Sequence, residues 1–196
     1  MKKITVTIGL ILLVFTRGAD AGLPLDTVQK GVNQVLEVAA DPSLAGETGT
    51  VQKIERIKNI INDFFDYTVL SRLTLGNNWR KLTPEQQTEF IELYRRLLEK
   101  VYMDRILAYS GEKVEFLKES MISDTKSEVQ TRIVTATQQI PIYYRLYFRN
   151  DQWWVYDVII EGVSLVSNYR NQFNSILTNK SPGDLIQILR DKTKEA

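Results

Sequence analysis

At Ser110-Gly111 the chain changes its hydrophobic period, and that switch limits the fold more than any other feature. Before it, apolar residues recur three and four positions apart, as on one face of a helix. After Glu112 they alternate, as on a pleated strand. The spacing predicts a helix over 24–40 with Val28, Val32, Val35, Leu36 and Ala39 on one side. A break at Pro42, Gly46 and Gly49 leads to a second helix carrying Val51, Ile54, Ile57, Ile61 and Phe64 or Phe65, then a short piece, Thr68 to Leu75, ended by Gly76. The clearest helix starts at Thr83 as N-cap, with Pro84 at its first position and Gln86 completing a capping box. Phe90, Leu93, Leu97 and Val101, then Ile106 and Tyr109, share one of its sides, and it is about 39 Å long.

Beyond the switch, "KVEFLKES", "SEVQTRIVTATQ", "IPIYYRLYFR" and "WWVYDVII" read as strands, with "NDQ" as the turn between the last two. Strict alternation puts Ile142, Tyr144, Leu146 and Phe148 on one face, and in the last strand groups Trp154, Tyr156, Val158 and Ile160 against Trp153, Val155, Asp157 and Ile159. After Gly162 the helical period returns through Leu165, Tyr169, Phe173 and Ile176, and "SPGD" opens a last amphipathic helix with Leu185, Ile186 and Leu189. The prediction is one α+β domain over 22–196, helical at 24–110 and 163–194, with a curved antiparallel sheet at 112–161.

The N-terminus predicts export. Lys2 and Lys3 precede an apolar run from Ile4 to Phe15. That run is in the signal-peptide range and short of the roughly 20 residues a membrane span needs. Ala19-x-Ala21 then offers a cleavage site, so residues 1–21 read as a signal peptide, an uncleaved anchor being the other reading.

The chain has no histidine and no cysteine, which excludes a Ser-His-Asp triad, a cysteine nucleophile, Cys/His zinc sites and thiolate-held clusters. No cofactor is expected. Lys+Arg 25 against Asp+Glu 24 leaves no basic excess, so nucleic acid is not an expected partner. Asp157 beside Tyr156 is the candidate general base, as an acid in an apolar strand. The plainer alternative makes it an acceptor for backbone N–H groups, Arg145 or Arg170. Ser164 reads as an N-cap. Arg170 is a candidate phosphate ligand that needs a second fixed cation beside it. Arg72, Arg80 and Lys81 form a further basic cluster, of the kind that is more often a solvated face.

Residues 65–109 and 153–173 together resemble the MlaC family of periplasmic phospholipid-binding proteins, also labelled toluene-tolerance auxiliary proteins. The resemblance rests on Phe65-Asp66, Leu75-Gly76 followed by Trp79, the helix from Phe90 to Leu97-Leu98, Tyr102, and the block Trp154-Val155-Tyr156-Asp157 through Glu161-Gly162-Val163-Ser164 to Asn168-Tyr169-Arg170 and Phe173. It implies a sheet resembling the nuclear-transport-factor-two superfamily, with added helices and acyl chains buried between them. It also implies a monomeric, non-enzymatic carrier that docks transiently with an inner-membrane ABC transporter bearing an MCE-domain subunit and with an outer-membrane lipoprotein–porin complex. A hopanoid carrier, a protein-binding envelope adaptor and a small enzyme using Asp157 are the alternatives. The pocket is then expected between the even-numbered face of 142–160 and the helices at 68–109 and 163–177. Its expected lining is Val69, Leu73, Leu93, Leu97, Val101, Tyr144, Leu146, Val158, Ile160, Val163 and Tyr169.

Overall fold

The computed structural model describes residues 23–194; the expected signal segment, residues 1–21, lies outside them. Helix α1 (Pro24–Ala40) begins with proline at its first position, and its entry is fastened by the sheet, because Leu25 N–H donates to the Glu119 carboxylate at 2.8 Å. A 3₁₀ turn (Pro42–Leu44) leads to α2 (Gly46–Asn62), which starts before the predicted apolar register and leaves Val51 60% exposed. Helix α3 (Tyr67–Leu75) ends at Gly76, whose φ of 54° suits the residue without a Cβ, and a 3₁₀ segment (Gly76–Lys81) continues to α4.

The predicted capping box opens α4 (Pro84–Leu107): Gln86 N–H donates to Thr83 Oγ1 at 3.3 Å, and Thr83 N–H donates to Gln86 Oε1 at 3.0 Å. Its first half buries Phe90, Leu93, Tyr94, Leu97 and Leu98 against other helices. Its second half turns Met103 toward Val35, Ala39 and Ile57 of α1 and α2. Two core regions thus share one long helix.

Strands β1 (Lys113–Ser123), β2 (Lys126–Val134), β3 (Gln139–Arg149), β4 (Gln152–Ile160) and the short β5 (Val163–Ser164) form an open sheet in the order β1-β2-β3-β4-β5, antiparallel throughout. The β3–β4 turn is the predicted one, with Asn150 and Asp151 at φ 51° and 57°, the left-handed pair of a type I′ hairpin. Helices α5 (Leu165–Leu177) and α6 (Pro182–Lys194) follow.

Strict alternation fails in β4. The register steps from Arg145↔Asp157 to Leu146↔Val155, so Tyr156 is an extra, bulged residue. Trp153 and Val155 therefore join Val158 and Ile160 on the inner face, paired with Phe148, Leu146, Tyr144 and Ile142. Trp154 lies on the other face with Tyr147, whose ring is 6.1 Å from that of Tyr156. The predicted faces were exchanged over 153–156 and correct from Val158 onward. Before the bulge a one-residue slip inverts every side chain, and nothing local in "WWVYDVII" marks it.

The far edge of β4 is closed by a second strip of chain. Val155 N–H donates to Phe64 O at 2.8 Å and Asp66 N–H to Val155 O at 2.9 Å, a parallel bridge that seats the start of α3 on the sheet. Asp66 also caps α3 through Val69 N–H at 2.9 Å and accepts a hydrogen bond from the Tyr147 hydroxyl.

Candidate functional site

Two apolar regions meet along the helix–sheet boundary. The sheet region buries Val129, Leu146, Trp153, Val155 and Val158 with Val28, Phe64 and Leu165, and carries half-buried Ile142, Tyr144, Phe148 and Ile160. The helical region buries Phe90, Leu93, Tyr94, Leu97 and Leu98 of α4 against Val166, Tyr169 and Phe173 of α5 and Leu185, Ile186 and Leu189 of α6. Phe65 and Tyr102 pack against both, so they mark the seam.

The helical side is an aromatic network. Tyr94 lies edge-on to Tyr169 and Phe173, with centroids 5.2 and 5.4 Å away, and Phe90 meets Phe173 at 5.6 Å. Next to it a cleft of about 230 Å³ opens between α4, α5 and α6, walled by Leu97, Val101, Tyr169, Phe173, Ile176, Leu185, Ile188 and Leu189, with exposed Gln172 and Lys192 among its lining. Pockets for drug-sized ligands span about 300–1,000 Å³. The cleft as it stands is smaller than that, so a long acyl chain enters only if these helices separate.

The polar atoms near the seam are few. Burial pushes the Tyr144 phenol up to about 12, and its hydroxyl has no hydrogen-bond partner among the described residues. Burial likewise raises Tyr169 to about 12 and lifts Tyr94 still further. Thr74 Oγ1 donates to the Tyr94 hydroxyl at 3.4 Å, while the buried Ser71 Oγ has no partner among the described residues.

The eleven predicted lining residues fall into four places. Leu97, Val101 and Tyr169 line the cleft, Val101 being 41% exposed, and Leu93 is buried in the adjoining helical region. Tyr144, Leu146, Val158 and Ile160 share the inner sheet face. Leu73 is half-buried at the end of α3, and Val69 half-buried near its start. Val163 is 55% exposed at β5. Helical spacing had placed Phe173, Ile176, Leu185 and Leu189 on apolar faces, but it carries no information on whether a face meets core or cavity. Phe65 and Tyr102 were marked by the family resemblance, but not as lining residues.

Asp157 is committed to structure. It is 3% exposed; its carboxylate accepts from Ser164 Oγ at 2.7 Å and Val166 N–H at 3.1 Å, and lies 3.6 Å from Arg145 Nη1. Ser164 in turn caps α5, accepting from Ser167 N–H at 3.1 Å. The acid thus ties strand β4 to the N-terminus of α5, and no open face is left for proton transfer. Arg170 does not reach Asp157: its Nε and Nη2 donate to Leu73 O at 3.1 and 2.6 Å, covering the carbonyl end of α3. Among the described residues no group of three or more acidic side chains is placed to hold a metal, and no helix is long and apolar enough to cross a membrane. The two regions that meet at the seam are lined mainly for apolar contact.

Comparison with known proteins extends this geometry. A family model described as MlaC protein matches residues 29–191. The intermembrane phospholipid transport system binding protein MlaC of Haemophilus influenzae is 23% identical over 176 residues, covering 82% of this chain and 81% of its own. The toluene tolerance protein ttg2D of Pseudomonas putida is 26% identical over 95 residues, covering 48% and 44%. A solved structure of the phospholipid-binding protein from Ralstonia solanacearum, in complex with a phospholipid, superposes with a TM-score of 0.79 at 25% identity, over 87% of this chain and 97% of that one. The Haemophilus relative is thus described as a transport-system binding protein and the Ralstonia one as a phospholipid-binding protein, neither as an enzyme.

Proposed function

The chain belongs to the MlaC family, and from that premise we propose that it is a phospholipid carrier of the periplasm. In this reading residues 22–196 form a single lipid-binding domain, and residues 1–21 are the signal peptide that exports it. The observation that carries the proposal is the similarity, over 87% of this chain and 97% of the other, to a chain solved with a phospholipid in place. The seam at Phe65 and Tyr102, between an apolar sheet face and a helical region with a cleft at its side, supports it from within this molecule.

The energetics set the mechanism. Burying about thirty lipid methylenes at ~0.8 kcal/mol each gives about 24 kcal/mol, beyond the ceiling near −18 to −21 kcal/mol for non-covalent affinity. Such a carrier does not release its cargo into water. Exchange runs instead through docking, where apolar surface passes to apolar surface and the two terms nearly cancel. The partners in this reading are an inner-membrane ABC transporter with an MCE-domain subunit and an outer-membrane lipoprotein–porin complex. The process it serves is outer-membrane lipid asymmetry.

The test is extraction of the protein purified from a phospholipid-rich periplasm, followed by mass spectrometry. Stoichiometric glycerophospholipid is expected; empty protein, or protein holding only a hopanoid, overturns the reading. Leu97→Trp fills the cleft and Leu146→Trp overfills the inner sheet face. If both variants fold and retain full lipid, the proposed seam is not where the acyl chains lie.

A further inference from the structure

A second groove, of about 310 Å³, lies between the end of α3, the 3₁₀ segment that follows, and α5. It shares no lining residue with the cleft at α6. Three of its seven lining residues are arginines, Arg72, Arg80 and Arg170, and no carboxylate lines it. None of the three has an ion-pair partner among the described residues. Six other arginines, Arg95, Arg96, Arg132, Arg145, Arg149 and Arg190, each sit within reach of a carboxylate, and the other two described, Arg56 and Arg105, lie outside the groove. In a chain with nearly equal numbers of acids and bases, three unbalanced guanidinium groups in one concavity are a concentrated positive potential.

The groove is built, not incidental. The two hydrogen bonds to Leu73 O fix the Arg170 guanidinium and neutralise the carbonyl end of α3, which would otherwise repel an anion. They leave Nη1 uncommitted. Asn78 Nδ2 donates to Asn174 Oδ1 at 2.9 Å and fastens the 3₁₀ segment to α5, and Gln87 Nε2 donates to Trp79 O at 3.1 Å and holds that segment from α4. Leu73 and Trp79 supply an apolar wall. Planar guanidinium donors match phosphate oxygens in pairs, and a lysine-like point charge would not do so. At roughly 30 Å³ for each water-sized group, the volume holds about ten such groups, enough for a phosphate with a glycerol-sized substituent.

We propose that this groove binds a phosphate group, presented either on a lipid headgroup or as the free anion. The site is separate from the acyl seam and does not depend on it. Titration calorimetry of the purified protein with inorganic phosphate and with glycerophosphoglycerol, a deacylated headgroup, tests it, with a tryptophan fluorescence change that a Trp79→Phe variant loses as a second readout. Saturable one-site binding is expected, weakened about tenfold or more for each arginine lost. The decisive variant is Arg72→Gln with Arg80→Gln, since both side chains are exposed and neither holds the fold together. Arg170→Gln also uncaps α3, so its thermal melt is recorded alongside. Tighter binding of glycerophosphoglycerol, with co-sedimentation on phosphatidylglycerol vesicles that the double variant loses, assigns the site to headgroups. Tighter binding of inorganic phosphate, with no vesicle binding, assigns it to the free anion. Binding by neither ligand, or equal binding by the double variant, overturns the proposal. So does a polyglutamate peptide that binds there and is not displaced by phosphate. The lipid content of the double variant is expected to equal that of the wild type. Phosphate binding by a protein that carries no lipid would leave the groove standing and remove only the carrier reading.

Discussion

At the scale of single residues, Asp157 shows how position decides chemistry. An acid among apolar neighbours invites a catalytic reading, yet here both oxygens serve the junction of β4 and α5. Asp157→Asn replaces one of the two acceptor oxygens with an amide NH2, which opposes either Ser164 Oγ or Val166 N–H, and removes the charge facing Arg145. Losing one partner of a buried pair costs 3–5 kcal/mol, but Arg145 is 40% exposed, so about 2 kcal/mol is expected. Urea unfolding should show a lower midpoint while the folded fraction keeps its lipid. An unchanged midpoint would remove the structural role assigned to it. Arg170 is the complementary case. Its value as a ligand depended on a second cation, and that cation stands about a hundred positions earlier in the chain. No local pattern in the sequence reports it.

Elements whose rules are local were legible in advance. Helix α4 announces itself through Thr83, Pro84 and Gln86, and the β3–β4 hairpin through Asn150-Asp151, because caps and tight turns are decided within a few residues. The bulge at Tyr156 was not legible, since cross-strand pairing with β3 and the strip at Phe64–Asp66 decide it. Nor was the division of α4 between two core regions, because an apolar stripe does not say what covers it. The approach of α1 to the sheet was also hidden. A Cβ on Gly31 would meet the Phe64 ring at 2.7 Å. Alanine gains about 1 kcal/mol of helix propensity there, against about 1–3 kcal/mol for overpacking. Gly31→Ala should therefore lower stability by about 1 kcal/mol in chemical denaturation. A more stable variant would mean that the α1–Phe64 contact yields freely.

For the whole molecule, the absence of histidine leaves no side chain of ordinary pKa that titrates near neutrality. Stability should therefore be nearly flat from about pH 6 to 9. Tyrosines withdrawn from water, in part or in full, set the alkaline limit. Tyr144 and Tyr169 stand at about 12 in the folded chain against 10.0 for the unperturbed phenol. Their folded values are raised, so their contribution is complete below pH 10 and is lost as the pH rises toward 12. Thermal melts across that range should fall in step with tyrosinate absorbance; a flat melting temperature to pH 12 would contradict this. The parallel bridge between Phe65 and Val155 also bears on the order in which the molecule assembles. Consecutive strands of this sheet are sequence neighbours and close small loops, so the meander can form early. The bridge instead closes a loop of about ninety residues, which is entropically dearer. A chain emerging N-terminus first therefore presents α3 well before the β4 edge that will seat it, whereas α1 can settle on β1 and β2 as soon as they form. Helix α3 waits, with its apolar face uncovered, for β4 to arrive.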